Sequence, residues 1–171
     1  VLLNFIKIII FKEKNMKQET SREANKIMGT VIAKTGSTIA YVAAVHDNQQ
    51  DVMMLAWSSK AMSGCNMAEK KIDYHISKMG LWGDAMREKK VIVTNDYATE
   101  KRPSKHGYPA GHIQIMRHMN GVVMNGTKIV GIIGVANRSS DYTEQGKTQF
   151  EEYLKSLSSV FAEIQKDAFA K

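Results

Sequence analysis

The sequence predicts an α+β domain, an antiparallel sheet with helices from the two ends of the chain packed mainly on one face. Three observations carry that expectation. Apolar residues recur with a helical period near both ends, β-branched runs fill much of the stretch between, and Asn125-Gly126 stands between two apolar runs as a hairpin turn does. With 171 residues, 43% hydrophobic and 24% charged, the chain has apolar material for one core and little for two.

The first helix begins at Thr20. Ala24, Ile27, Met28, Val31 and Ile32 form a single apolar stripe, and Gly36 ends it. Ser37 to His46 and Val52 to Trp57 read as two strands around the polar turn Asp47 to Asp51. The middle is less regular: Lys60 to Met67 reads as helical, Asp73 to Ser77 as a short strand, Leu81 to Lys89 as a short helix and Val91 to Thr94 as a strand. Residues 95 to 113 form a long loop with Pro103, Gly107, Pro109 and Gly111, of a length more common in lids and binding loops than in simple connectors.

The second hairpin joins Val122-Val123-Met124 to Lys128-Ile129-Val130-Gly131-Ile132-Ile133-Gly134-Val135-Ala136. Asn-Gly accepts the positive φ values of a type I′ turn, and the second strand is apolar on both faces, as a central covered strand is. Gly131 and Gly134, three apart, lie on opposite faces, and each allows a helix or a ligand to approach closely. Asp141 to Glu144 then start a long amphipathic helix with the stripe Phe150, Tyr153, Leu154, Leu157, Val160, Phe161 and Ile164.

The net charge of +7 raises the question of nucleic acid or an anionic membrane. Positions 1 to 36 hold seven cations against three anions, so most of the excess lies at the start and the rest is near neutral. No basic helix, interleaved aromatic run or zinc spacing supports nucleic-acid binding, and none is expected. The apolar run Leu2 to Phe11 is shorter than a membrane span, is interrupted by Lys7, and lacks the flanks of a signal peptide. Residues 1 to 19 read as a tail or linker: the cut end of a preceding element, or the product of an early start, the first methionine being Met16. The domain is expected over 20 to 171.

Cys65 is the single cysteine, so no disulfide forms within the chain, and a reducing, cytoplasmic setting is the default expectation. The histidines show no helical i, i+4 pair and no cysteine partner, so no metal cluster is expected. No Ser-His-Asp or paired-carboxylate constellation stands out either.

Four ordered motifs now line up: Gly80-Leu81-Trp82-Gly83-Asp84-Ala85-Met86-Arg87; Val91-Ile92-Val93-Thr94-Asn95-Asp96-Tyr97; Lys105-His106-Gly107-Tyr108-Pro109-Ala110-Gly111-His112; and Ile129 to Arg138, closed by Asp141-Tyr142-Thr143-Glu144. In order and spacing, across residues 20 to 168, they resemble the GAF domain family and specifically its bacterial and archaeal sensor branch. The resemblance implies a central antiparallel sheet of about six strands, helices from both chain ends on one face, and a ligand pocket under loops on the other. It also implies a regulatory domain that binds a small molecule and signals to an output such as a histidine kinase.

Within those motifs the candidate ligand contacts are Trp82, Asn95, Asp96, Tyr97, Tyr108, His112 and Asn137. Each has a plainer alternative. Asn95 and Asp96 follow a strand, where Asx side chains commonly bond loop amides. Asn137 can face a pocket or fix the next turn. His112 and Tyr108 bring an imidazole and a phenol to the loop, and a loop histidine also serves as a packing or hydrogen-bonding residue. Trp57 and Trp82 read first as core, with Trp82 the better candidate for a pocket wall. The eleven methionines are adaptable filler.

Some methanogen sensors of this branch are linked to haem through a cysteine, which makes Cys65 a candidate haem or redox residue, although Cys-x-x-Cys-His is absent. In the sensor reading the terminal stripes are expected to pair two copies through a two-helix seam. Two further alternatives stay open. One is a ligand-free module for dimerisation or protein interaction. The other is an enzyme on the same fold, such as a free methionine-R-sulfoxide reductase, for which Cys65 lacks a resolving partner.

Overall fold

The computed structural model describes residues 18–66, 72–108 and 110–170. The apolar run near the start and the end of the helix expected up to Met67 lie outside those residues. The elements are α1 (Gln18–Thr35), β1 (Ile39–Val45), β2 (Asp51–Trp57), α2 (Ser59–Gly64), β3 (Asp73–His75), α3 (Asp84–Glu88), β4 (Ile92–Thr94), β5 (His118–Asn125), β6 (Lys128–Ala136), α4 (Glu144–Ser156) and α5 (Ser158–Ala168). Short 3-10 turns at Ile76–Lys78 and Leu81–Gly83 fill the segment before α3.

All six strands pair antiparallel in the order β3-β2-β1-β6-β5-β4. β6 is central and buried along nearly its whole length, as its two-sided apolar sequence requires. Alternation sorts its side chains, reset once where Val130 is passed over in the pairing with β5. Val130, Ile133 and Val135 meet α1, α4 and α5 in one cluster with Ala24, Ile27, Val31, Phe150, Leu154 and Phe161. Ile129 and Ile132 join Ala43, Val45, Val52, Met86 and Val122 in a second cluster on the opposite side.

The two glycines of β6 mark these faces. A Cβ on Gly131 would run into the ring of Phe161, so α5 seats an aromatic ring directly on the strand. A Cβ on Gly134 would collide on the other face with Tyr41 and Asn120.

Local signals act where they were expected. Gly36 ends α1 at φ 65°, its N–H bonding Ile32 O at 2.9 Å, a conformation open to glycine at little steric penalty. Thr143 caps α4 by accepting the Gly146 N–H at 3.0 Å.

Four expectations change. The second hairpin turns on Gly126-Thr127 rather than Asn125-Gly126: Asn125 pairs with Lys128 in the ladder, and Gly126 alone takes a positive φ, 60°, so the turn is not the type I′ Asn-Gly turn expected. The helix expected to run unbroken through Ile164 is two helices: Leu157 sits at φ −91°, ψ 0°, and its N–H bonds Leu154 O at 3.1 Å in a tightened turn. The serines at 156, 158 and 159 hold that turn weakly as helix, and the Ser156 hydroxyl bonds Tyr153 O at 2.6 Å. The strand read from Val122 begins at His118, so the long loop runs from 95 to 117. Asp73–His75 is extended, but Ile76 and Ser77 turn into the 3-10 segment.

Candidate functional site

The face of the sheet opposite the terminal helices carries a cavity of about 530 Å³. Its floor follows from register. Trp57, Tyr41, Gly134 and Asn120 lie side by side across four strands, and Ile39, Ala136 and His118 form the neighbouring row; Ile92 and Thr94 of β4 continue the two rows just beyond the cavity lining. Gly134 has no side chain, so the Tyr41 ring crosses over β6 and donates its hydroxyl to Asn120 Oδ1 at 2.8 Å. The Asn120 amide nitrogen meets His118 Nδ1 at 2.5 Å.

This chain of bonds is buried, with Asn120 2% and His118 6% exposed. Because Asn120 Oδ1 is taken by the phenol, its amide donates to Nδ1, which assigns the imidazole proton to Nε2. Burial pushes the His118 imidazole down to about 4, the carboxylates of Glu100 and Asp84 opposing that shift. His118 is therefore neutral near pH 7. The same burial pushes the Tyr41 phenol well above its ordinary value.

Aromatic rings form the walls. Trp82 stands edge-on to Tyr41 and to Tyr74, with centroids 5.5 and 5.2 Å apart. In the long loop Tyr97 stacks on Tyr108 at 5.6 Å, and Tyr108 on His112 at 4.7 Å. Lys105 shapes that loop by donating to the carbonyls of Tyr97, Ala98 and Glu100 at 2.6, 2.9 and 3.2 Å, its ammonium 4.9 Å from the Tyr97 ring centroid.

Buried Asp84 anchors the loop to α3. It accepts from Arg87 Nη1 at 2.5 Å, from Ser104 Oγ at 2.6 Å and from Arg102 Nη1 at 3.3 Å, while Arg102 also reaches Glu88 at 2.5 Å. Arg87 in turn bonds the carbonyls of Ile76, Met79 and Gly80. The Gly80 to Arg87 motif thus ties the segment around Trp82 together through a carboxylate and a guanidinium that do not line the cavity.

With this geometry in view, the GAF domain family pattern matches residues 18–161. The chain belongs to the GAF domain family. It is 39% identical over 115 residues, 67% of its length, to the methyl sulfide methyltransferase-associated sensor of Methanosarcina acetivorans, and that match covers 11% of the sensor. Among solved structures, the GAF domain of a phosphoenolpyruvate-protein phosphotransferase from Coxiella burnetii superposes with TM-score 0.68 at 14% identity, covering 94% of each chain. Free methionine-R-sulfoxide reductase from Neisseria meningitidis superposes with TM-score 0.63 at 11% identity, covering 87% of this chain and 81% of that one. At such identities the two structures speak for the fold alone.

In this GAF domain Trp82, Tyr97, Tyr108, His112 and Cys65 line the cavity. Asn95, Asp96 and Asn137 do not; they brace the loop. Asn95 and Tyr142 exchange two bonds, the amide donating to the Tyr142 carbonyl at 3.0 Å and Oδ1 accepting the Tyr142 N–H at 2.8 Å. Asp96 accepts the N–H groups of Ala98 and Thr99 at 3.1 and 3.3 Å, and bonding from Thr99 holds its carboxyl below the ordinary range. Asn137, at φ 57°, accepts from Met116 N and donates to Gln114 O, both at 2.8 Å.

The sequence reading passed over Tyr41, Asn120 and His118. The available signal was alternation: His118 and Asn120 fall on one face of a strand whose other face carries Met119. Cys65 and His112 belong to adjoining segments, since Asn66 N–H bonds Gly111 O at 2.6 Å. Among the described residues no group of three or more metal-binding side chains converges, and no helix is long and apolar enough to cross a membrane.

Proposed function

We propose that this chain is a sensor domain that binds a small molecule in the sheet-side cavity and relays occupancy through its terminal helices to a signalling output such as a histidine kinase. The observation that carries the reading is the cavity itself: aromatic walls over a buried, hydrogen-bonded polar floor, closed by a long loop with its own anchors. The sensor of Methanosarcina acetivorans supports the signalling role. The contacts proposed for the ligand are Trp82, Tyr97, Tyr108 and His112, with Tyr41, Asn120 and His118 beneath.

A route from cavity to helices runs through β6. Tyr41 packs over Gly134 on the cavity face, and three residues away Phe161 of α5 packs on Gly131 on the other. A ligand that moves Tyr41 shifts the strand on which α5 rests, and α5 is also tied to β1 by Gln165 Nε2 donating to Val45 O at 2.6 Å. The terminal helices are then the surface for pairing with a second copy. Native mass spectrometry tests the reading: a retained small molecule and a dimer are expected. An empty monomer that gives no thermal shift with any of a broad set of metabolites refutes it.

A haem-binding redox sensor is the second reading, and one observation favours it. His112 Nδ1 lies 2.6 Å from Ile113 O, so Nδ1 carries the proton and Nε2 keeps a lone pair, in a cavity that also holds the Cys65 thiol. These residues fit the group. His112 and Cys65 would hold it, and bound haem would supply a redox-active iron. A Soret band after reconstitution that His112→Ala and Cys65→Ala each weaken is expected; no Soret band rejects this reading.

A further inference from the structure

Two buried polar atoms on the cavity face have no hydrogen-bond partner among the described residues, His118 Nε2 and Thr94 Oγ1. They are neighbours by register, since Thr94 in β4 stands directly across from His118 in β5. Side chains directly opposite in an antiparallel pair have Cβ atoms about 5 Å apart, close enough for one acceptor atom to receive both donors. Leaving two such groups unpaired in an otherwise satisfied floor is costly, and native cores rarely do so without a missing partner.

Tyr97 completes the arrangement. Its ring stands edge-on to His118, with centroids 5.9 Å apart, and both residues line the cavity. It belongs to the long loop, so it is the side chain that can yield to an incoming group. The lining side chains at the deep end, Tyr41, Asn120 and His118, carry no charge, and Thr94 is buried beside His118 just behind them, whereas Asp73 and Lys78 are exposed on the rim. A buried anion or cation would find no counter-charge among those lining side chains, because Glu100, Asp84 and Arg102, whose charges reach His118, do not line the cavity.

We propose that His118 Nε2–H and the Thr94 hydroxyl form the polar anchor of the cavity, together receiving one uncharged acceptor oxygen, such as a carbonyl, of a largely apolar ligand. This rests on the sensor reading above and names its ligand class. Tyr41 and Asn120 act as positioning residues: by keeping His118 Nδ1 an acceptor, they hold the proton on the nitrogen that donates.

The test uses three probes of one size: 2-acetylnaphthalene, 2-ethylnaphthalene and 2-naphthoate. Binding is read from the emission of Trp57 and Trp82, which both line the cavity, and imidazole protonation from long-range 1H–15N spectra. The ketone is expected to bind about tenfold more tightly than the hydrocarbon, the scale of one buried neutral hydrogen bond, and to move the His118 Nε2–H resonance. In His118→Phe the two should bind alike. Thr94→Val, nearly isosteric, should shrink the preference while leaving the fold intact.

Equal affinity in the wild type, a ketone preference that survives His118→Phe, a preference untouched by Thr94→Val, tightest binding of the naphthoate, or a proton found on Nδ1 each overturns the anchor while leaving the cavity as a binding site. Failure of all three probes to perturb the emission of either tryptophan overturns the cavity reading itself and the anchor with it.

Discussion

Acidification should weaken this fold through one histidine. His118 sits at about 4 in the folded protein because its ring is buried, against about 6.5 in the unfolded chain. The unfolded chain therefore binds the proton first as pH falls, and the stability tied to a neutral His118 is fully present above 6.5 and drains away toward 4. A difference of about 2.5 pKa units corresponds to roughly 3 kcal/mol when complete, of which about 2 kcal/mol is lost between pH 7 and pH 5. Urea unfolding at both pH values measures it. A loss of about 2 kcal/mol moves the midpoint by roughly 1 M at an ordinary denaturant slope. His118→Phe should be weaker near pH 7, because Asn120 loses its acceptor, but should show a slope flatter by that amount. Comparing slopes cancels every other titrating group. If the wild type and the variant lose equal stability between pH 7 and pH 5, His118 is not a buried neutral imidazole and the account of the floor fails.

The other predictions concern packing and the loop. Gly134→Ala sets a methyl where Tyr41 crosses β6 and should cost about 3 kcal/mol, combining overpacking with a broken Tyr41–Asn120 bond; a change below about 0.5 kcal/mol in urea unfolding contradicts the crossing. Gly131→Ala should displace the Phe161 ring and cost about 1–3 kcal/mol while leaving the tryptophan emission wavelength unchanged, since the collision lies on the helix face and both tryptophans line the cavity. Asp84→Ala removes the shared partner of Arg87, Arg102 and Ser104. With both guanidiniums partly exposed, the expected loss is about 1–3 kcal/mol, together with much faster tryptic cleavage after Lys105. Thr143→Ala should cost about 1 kcal/mol by uncapping α4, read from the thermal midpoint.

Much of this fold was legible because its determinants are local. The stripe from Ala24 to Val31 and the Gly36 stop define α1, Gly126 marks the second hairpin although the turn falls one residue later than Asn125-Gly126, and the two-sided apolar run of β6 announces a central strand. The break at Leu157 was not legible, because the apolar stripe continues with helical period on both sides of it.

The site divides in the same way. Trp82, Tyr97, Tyr108, His112 and Cys65 could be picked out by residue type and motif. Asn95, Asp96 and Asn137 looked equivalent by the same criteria, yet the groups they bond include remote backbone at Tyr142, Met116 and Gln114, which no local pattern displays. Tyr41 and Asn120 are 79 positions apart, and only the shared register of β1, β6 and β5 sets them in one row with a glycine between.

The sequence by itself determined that the chain forms one α+β domain with a covered central strand, and that Gly131 and Gly134 open opposite faces of it. Periodicity and turn chemistry are enough for that, since each acts within a few residues. Tertiary structure alone decided which polar groups sit beneath the cavity and which merely brace its loop. Strand register is a long-range choice made by the whole sheet, and it set an imidazole and a hydroxyl from neighbouring strands side by side.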